Sequence, residues 1–503
     1  MDSENKKVKL HPVWFFIILI AITVILSVVL SLFNFQGLQV DVSSKSTATS
    51  ILTVESLLSK DGINFMISEC INNFVKFTPL VSLIVGLLGV GFGIKVGLFK
   101  SIFAKCTKFI PRKTMLFIFS LLCILMGFSN DLAFIIMIPL AAIMFTEYKR
   151  NQVIGMTMAF AAVAAGSNIN LFITSLDYSL IEISRPSVAI VDPNYTFKYT
   201  GNLFFIVATS ILLSLVFMVL TEVLTKNKPV RIGNDEDEID EKLDKKGLKR
   251  AFIALGIMIA IFVYSIIPNL PLSGFLLDST QKLYVNKLFG ANAPFVNGIL
   301  FIVSLAFIIC SIVYGTTTKQ IRNNKDIIKG LSNSLNGLGE ILLLLFVASQ
   351  LVALFKYTNI GNILTANLFS FVEKSNASFI VLILLSFLAI AISNIFVPSI
   401  SNKWTLFVPI LMPTFMKSNL TPEFTGAIFR LASSTTNMIS PLFAYFVIFL
   451  GFVGLYSRSD FTINKCYKLI WPYFIATFIL YLFIVFGWYV LNAPIGPNVF
   501  PTI

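Results

Sequence analysis

Apolar segments long enough to cross a bilayer recur along nearly the whole chain, and no other feature constrains its fold as strongly. They run over about 12–33, 78–99, 152–176, 202–224, 249–267, 295–314, 338–356, 424–450 and 469–491. A helix crosses some 30 Å of hydrocarbon with about 20 residues. In lipid the backbone must satisfy its own hydrogen bonds, which leaves helices for runs of this length. Two further regions, 114–146 and 377–416, are each a pair of apolar runs split by a polar turn, at Ser129-Asn130-Asp131 and from Ser399 to Lys403. The expected fold class is therefore an all-α integral membrane protein with nine transmembrane helices and two re-entrant helical hairpins.

The charges decide how the hairpins are drawn. Only 13% of the residues are charged, about half the share in soluble domains. A net charge of +13 raises the question of nucleic acid, but the Lys and Arg lie mostly in short connections between apolar spans. If both pairs return to the side they entered from, 25 of the 38 Lys and Arg fall on one side and 10 on the other. That asymmetry follows the positive-inside rule. It places the N-terminus in the cytoplasm and the protein, multi-pass, in the cell inner (plasma) membrane. Were the first hairpin a full crossing, the basic 225–250 segment would lie outside. The 12–33 run is too long for a signal-peptide core and reads as a retained anchor helix. Five scattered cysteines suggest neither a disulfide frame nor a zinc site. The single histidine, His11, precedes the first span, and no carboxylate dyad lies inside the membrane, so an enzyme is not expected.

One stretch breaks the apolar pattern. Residues 393–441 hold Asn394, Ser399, Ser401, Asn402, Lys403, Arg430 and the run Ser433 to Asn437, interrupted by Pro398, Pro409, Pro413 and Pro441. Polar groups and broken helices persist at membrane depth only inside protein or around a wet cavity. An earlier stretch matches it. Ser129-Asn130-Asp131 precedes an apolar run with Pro139, and about forty residues on comes the cluster Gly166-Ser167-Asn168-Ile169-Asn170, then Thr174, Ser175 and Asp177. Each half reads as a spanning helix, a hairpin with a Ser-Asn tip, and a helix broken by Asn, Ser and Thr. The first hairpin enters from the cytoplasm and the second from outside. Inverted repeats with discontinuous helices are the plan of secondary transporters. The chain divides accordingly into 1–66, an anchor helix and outer loop; 67–224, the first inverted repeat; 225–250, a charged cytoplasmic linker; 251–327, scaffold helices; and 328–503, the second repeat.

Oxygen atoms of Ser167, Asn168, Asn170 and the freed carbonyls beside Gly166 suit a cation such as sodium; the plainer alternative is hydrogen bonding between packed helices. Lys403 and Arg430 are cations at membrane depth, where each costs about 2.5–3.5 kcal/mol on insertion scales. They favour an anionic solute, Arg430 through a two-pronged bond. The alternatives are that Arg430 pairs with a protein acid such as Asp131 or Asp177, and that Lys403 snorkels. Trp404 offers a flat face for an aromatic ring, or ordinary packing. Lys95 ends its span and snorkels, and Glu340 complements the start of its helix.

At SNIFVPSISNKW and GAIFRLASSTTNMISPL the sequence resembles the AbgT family of aminobenzoyl-glutamate transporters, and GVGFGIKVGLF, SNDLAFIIMIPLAAIMF and GSNINLFITSLD resemble its first-half motifs. The resemblance runs over about 70–490. It implies a homodimer of nine-helix subunits with two hairpins, each with an inner transport core and an outer scaffold. It also implies ion-coupled uptake of p-aminobenzoyl-glutamate or export of p-aminobenzoate and sulfonamides. The family's functional positions fall on Asp177, Asn394, Ser401, Trp404, Pro422, Arg430, Asn437 and Pro441. One departs: where the family has an acid three residues after the arginine, this chain has Ser433, which carries neither a proton nor a full charge for a bound cation. Asn402 stands where the family has a small residue.

The expected site is thus a substrate region of Asn168, Asn170, Ser399, Ser401, Lys403, Trp404, Pro422, Arg430 and Pro441. An ion-coupling region comprises Ser167, Asn170, Asp177, Asn394, Ser433 and Asn437, with Asn394, Ser433 and Asn437 as sodium ligands. No other cofactor and no nucleic acid is expected; the partners are a small anionic aromatic or carboxylate solute and the lipid bilayer. The rival readings are an importer of other carboxylates, such as dicarboxylates or short peptides, and a passive anion channel.

Overall fold

The computed structural model describes residues 10–42, 47–169, 175–226, 240–290, 292–375, 378–457 and 462–503. Its elements follow in chain order. Helix α1 (Pro12–Leu32) leads into strands β1 (Gln36–Val42) and β2 (Thr47–Thr53), then α2 (Lys60–Ser68), α3 (Cys70–Val75), α4 (Thr78–Lys95) and α5 (Leu98–Phe109). Next come α6 (Arg112–Met126), α7 (Asn130–Glu147), α8 (Gln152–Gly166), α9 (Ser175–Ala189) and α10 (Leu203–Thr225). The middle of the chain forms α11 (Glu241–Ile266), α12 (Tyr284–Phe289), α13 (Pro294–Thr317), α14 (Asn324–Ser334), α15 (Leu338–Tyr357) and α16 (Ile360–Lys374). The last part forms α17 (Phe379–Phe396), α18 (Ile400–Lys417), α19 (Pro422–Thr435), α20 (Ala444–Ser457) and α21 (Ile463–Leu491).

Among the described residues nine helices are long and apolar enough to cross a membrane, but they are not the nine expected spans. Seven coincide: α1, α4, α10, α11, α13, α15 and α21. The expected spans 152–176 and 424–450 are each broken. The first is helical only to Gly166, and the second divides into α19 and α20 around residues 436–443. The other two long helices are α7 and α17, one arm of each hairpin. Both hairpins lie where the polar tips place them, with α6 and α7 joined at 127–129 and α17 and α18 at 397–399.

Burial separates two kinds of helix. Along α8, residues 154–166 are all buried, and α7 and α19 are nearly so; helices that are apolar or small on every face are ones that need protein all round them. On α1 and α11 the large apolar side chains point outward, among them Ile25, Ile253, Ile257 and Ile261. Such a surface suits lipid and would be a liability in water.

Several expectations about connections can be compared. Helix α14 opens on a reciprocal cap between Asn323 and Asp326. Lys95 stands in the last turn of α4. Glu340 stands in the first turn of α15 and also bonds the His11 ring, 2.8 Å away. The linker 225–250 is partly helical, since α11 begins at Glu241; residues 227–239 lie outside the described residues. The antiparallel hairpin β1–β2, pairing Gln36 with Thr53 and Val42 with Thr47, was not anticipated in a segment read as an outer loop.

One close approach sets the geometry of the site. A Cβ on Gly166 would lie 2.9 Å from Ile124 Cα, and one on Gly127 would lie 3.0 Å from the Gly166 carbonyl oxygen. Both glycines are needed because the tip of the first hairpin meets the end of α8 backbone to backbone.

Candidate functional site

Two broken helices meet at the centre of the bundle. Helix α8 ends at Gly166, where its last carbonyls lose their helical partners. Helix α19 ends at Thr435, and Arg430, Ser433, Ser434 and Asn437 recur at the spacing of one helix face. Side chains from each break satisfy the other. Asn437 Nδ2 donates to the Ala164 carbonyl at 3.2 Å and to Ser167 Oγ at 3.0 Å. Asn168 Nδ2 donates to Ser434 Oγ at 2.9 Å, and Ser434 Oγ donates to the Arg430 carbonyl at 2.8 Å.

The second hairpin joins the same layer. Asn394, near the end of α17, donates to Asn437 Oδ1 at 2.8 Å and to Thr436 Oγ1 at 3.0 Å. Lys403, in the first turn of α18, is fully buried and donates to Asn394 Oδ1. Thr436 Oγ1 bonds the Ala391 carbonyl, and Ser440 Oγ the Ile395 carbonyl. The α17–α18 tip, α19 and the end of α8 thus form one hydrogen-bonded unit.

Arg430 turns the other way. Its Nη2 lies 2.5 Å from Asp177 Oδ1 in the first turn of α9, and Nη1 reaches the Asn168 carbonyl at 3.5 Å. Beside this pair the Trp404 indole donates to the Leu180 carbonyl at 3.1 Å and to Ser184 Oγ at 2.9 Å. The Trp404 ring packs on Phe429 with centroids 4.4 Å apart.

Two cavities flank the layer. A small cleft of about 70 Å³ has Asp177, Ser184, Trp404, Pro422, Glu423 and Arg430 in its wall. A wider one, about 630 Å³, is bordered by Asn130, Ser167, Asn168, Ser399, Asn402 and Asn437. The expected substrate residues are therefore divided. Trp404, Pro422 and Arg430 border the smaller cleft; Asn168 and Ser399 border the larger. Ser401, half-buried on α18, and Pro441, in the break after α19, border neither. Lys403 also borders neither, because its ammonium is spent on Asn394. Asn170, expected in both regions, lies outside the described residues.

The expected ion ligands come together only in part. Asn394 and Asn437 are in direct contact, and the Ser433 hydroxyl is buried with no hydrogen-bond partner among the described residues. As a sodium site the set fits poorly. Asn394 Oδ1 already accepts from Lys403, and Asn437 Oδ1 from Asn394. That leaves Ser433 Oγ as the one unengaged side-chain oxygen of the three, against the several oxygens a hard cation takes.

Sequence reasoning missed Ser434 and Thr436 as bridging groups, although both lie in the polar run. It also missed Glu423, a buried acid bonded by the Tyr195 hydroxyl and the Lys198 amide in the smaller cleft. Its signal was available: an acid next to Pro422 at the head of an apolar helix. The tip of the first hairpin is likewise tied down, Tyr445 donating to Asp131.

Comparison with known proteins bears on this architecture. The family model described as "AbgT putative transporter family" matches residues 5–503. The chain is 28% identical over 502 residues to the p-aminobenzoyl-glutamate transport protein of Escherichia coli K12, covering 98% of this chain and 94% of that protein. Among solved structures it is similar to the Alcanivorax borkumensis YdaH transporter, whose topology is described as unusual, at 27% identity and a TM-score of 0.51, over 97% of this chain and 100% of that one. It is also similar to Neisseria gonorrhoeae MtrF, described among antimetabolite efflux pumps, at 28% identity and a TM-score of 0.50, over 98% of both chains. With a match over the whole chain and two broken helices interlocked beside a buried guanidinium, this protein belongs to the AbgT family: it is a multi-span membrane transporter and not an enzyme.

Proposed function

We propose that this chain is a secondary active transporter of aromatic anions of the p-aminobenzoyl-glutamate, p-aminobenzoate or sulfonamide kind, driven by a sodium or proton gradient. The observation that carries the reading is the Arg430–Asp177 pair in the wall of a cleft shared with Trp404. A carboxylate or sulfonyl oxygen entering that cleft exchanges with Asp177 on a guanidinium that is already desolvated, and the released Asp177 carboxylate then takes the coupling cation as its counter-charge. An aromatic ring then lies against apolar walls that include Leu180, Ile181 and Phe197. The relatives' descriptions as p-aminobenzoyl-glutamate transport and antimetabolite efflux support this solute class.

Transport follows if the hydrogen-bonded unit of α8, α17–α18 and α19 moves relative to the lipid-facing helices. A solute shifts that equilibrium only by binding one arrangement better than the other. The exchange at Arg430 supplies such a difference, since it breaks the ion pair between α19 and α9. We place the protein in the plasma membrane as a homodimer, with the N-terminus in the cytoplasm and the two hairpins related as inverted repeats.

The test is uptake into proteoliposomes of p-aminobenzoyl-glutamate, p-aminobenzoate, a sulfonamide and succinate, under separate sodium and proton gradients. Gradient-driven uptake of at least one aromatic compound, above that of succinate, is the expected result. Robust succinate uptake with no aromatic transport would overturn the substrate class. Flux that ignores both gradients would overturn the coupling.

A further inference from the structure

One series of hydrogen bonds through the central layer points a single way. Lys403 donates to Asn394, Asn394 to Asn437, Asn437 to Ser167, and Ser167 Oγ to the Ala164 carbonyl at 3.0 Å. Both amides spend their N–H groups on other acceptors, which forces Asn394 to present its oxygen to the ammonium. The chain of donors ends at the carbonyl terminus of α8, the negative end of a helix dipole. Successive bonds polarise one another in such a series, and this polarity favours a positive charge at its head. The face of Phe429, 6.0 Å from Lys403 Nζ, acts in the same sense.

What Lys403 lacks is equally informative. It is wholly buried, and among the described residues no carboxylate forms an ion pair with it. A buried ammonium of this kind persists where oxygen dipoles replace its hydration shell. The oxygen it bonds, Asn394 Oδ1, is one a sodium ion would have used, and a second cation against that oxygen would face the ammonium at close range, where the two repel.

We propose that Lys403 is a cation built into this transporter. Its ammonium takes the Asn394 oxygen that a sodium ion would need beside Ser433, and through Asn394 it ties the α17–α18 tip to α19 and α8 without an exchangeable ion. The coupling cation therefore does not bind at this cluster. The inference rests on reading the layer as the transport core, but its test reads ion binding in the purified protein. A failure of the transport reading is thereby kept apart from a failure of this one.

The experiment compares the thermal stability of the purified protein in sodium chloride with that in choline chloride at equal ionic strength. Three proteins are used: wild type, Asn394→Ala and Lys403→Met. A ligand that binds only the folded state raises the melting temperature. Sodium is expected to add nothing to the wild type at this cluster, so any sodium effect present survives Asn394→Ala. Lys403→Met, with Asn394 Oδ1 released beside Ser433, is expected to gain a sodium-specific rise of several degrees. Sodium stabilisation of the wild type that Asn394→Ala abolishes would overturn the proposal. A folded Lys403→Met that gains no sodium response would overturn it as well. The wild-type comparison stands even where Lys403→Met does not fold.

Discussion

Arg430 on α19 and Asp177 on α9 form an ion pair across the junction of the two broken helices, with 6% and 12% of their side chains exposed. Neither charge is tolerable alone at that depth, and together they are neutral. The pair explains why an arginine persists in an apolar helix, and it gives an incoming anion something to displace.

Removing one member of a buried pair strands the other. Asp177→Asn and Arg430→Met should each cost about 3–5 kcal/mol of stability. The double variant should cost less than the sum of the two. Thermal inactivation of the four proteins in detergent gives the double-mutant cycle. Additive losses would mean that the two side chains do not interact.

Asn437 joins two elements of the layer, donating to the end of α8 and accepting from α17. Asn437→Ala removes one of two partners from the Asn394 amide and one of two from the Ala164 carbonyl, at about 0.5–1.5 kcal/mol for each lost bond. The variant should melt lower than wild type, and Asn394→Ala should lower it further because it strands the Lys403 ammonium. Melting curves of the single and double variants check this.

Much of this was legible in the sequence because membrane insertion filters residues severely. An arginine, a buried lysine and Asn-rich breaks stand out against an apolar background, and Asn394, Asn437, Ser167 and Asn168 do converge. What could not be read was which neighbour each would choose. The polar run offers Ser433 and Ser434 side by side, and the turn of α19 gives the bond to Ser434 while leaving Ser433 unpaired. Lys403 and Arg430 looked like a joint anion site. They are in fact committed to different partners, Asn394 and Asp177, because the α18 and α19 frames point them apart. The β1–β2 hairpin escaped notice because seven-residue strands carry no signal comparable to a 20-residue apolar run.

Gly166 allows α8 to end against the first hairpin. Gly166→Ala would put a methyl 2.9 Å from Ile124 Cα, which only a backbone shift relieves. Such overpacking costs about 1–3 kcal/mol. The melting temperature should fall, and transport should fall with it because Ser167 and Asn168 follow directly. An unchanged melting temperature would show that the approach is looser than described.

Alkaline pH tests the Tyr195–Glu423 contact. Burial, and then the Glu423 carboxylate beside it, push the Tyr195 phenol up from its ordinary value near 10. The native state therefore keeps this proton where the unfolded chain has lost it. Its contribution to stability is full below about pH 10 and shrinks as pH rises beyond that. Tyr195→Phe should lose less stability than wild type between pH 9 and pH 11 (about the limits a membrane protein withstands in detergent). Melting temperatures of both proteins across that range decide it.

Counterflow tests the central claim most directly. Proteoliposomes loaded with unlabelled p-aminobenzoyl-glutamate or p-aminobenzoate are diluted into the labelled compound with no ion gradient, using wild type and Arg430→Lys. A carrier built around the Arg430 cleft should show transient accumulation of label above equilibrium in wild type. Arg430→Lys, which keeps the charge but loses the two-pronged geometry, should reduce it about tenfold or more. Equilibration without overshoot in the wild type, or full counterflow in Arg430→Lys, would contradict the account.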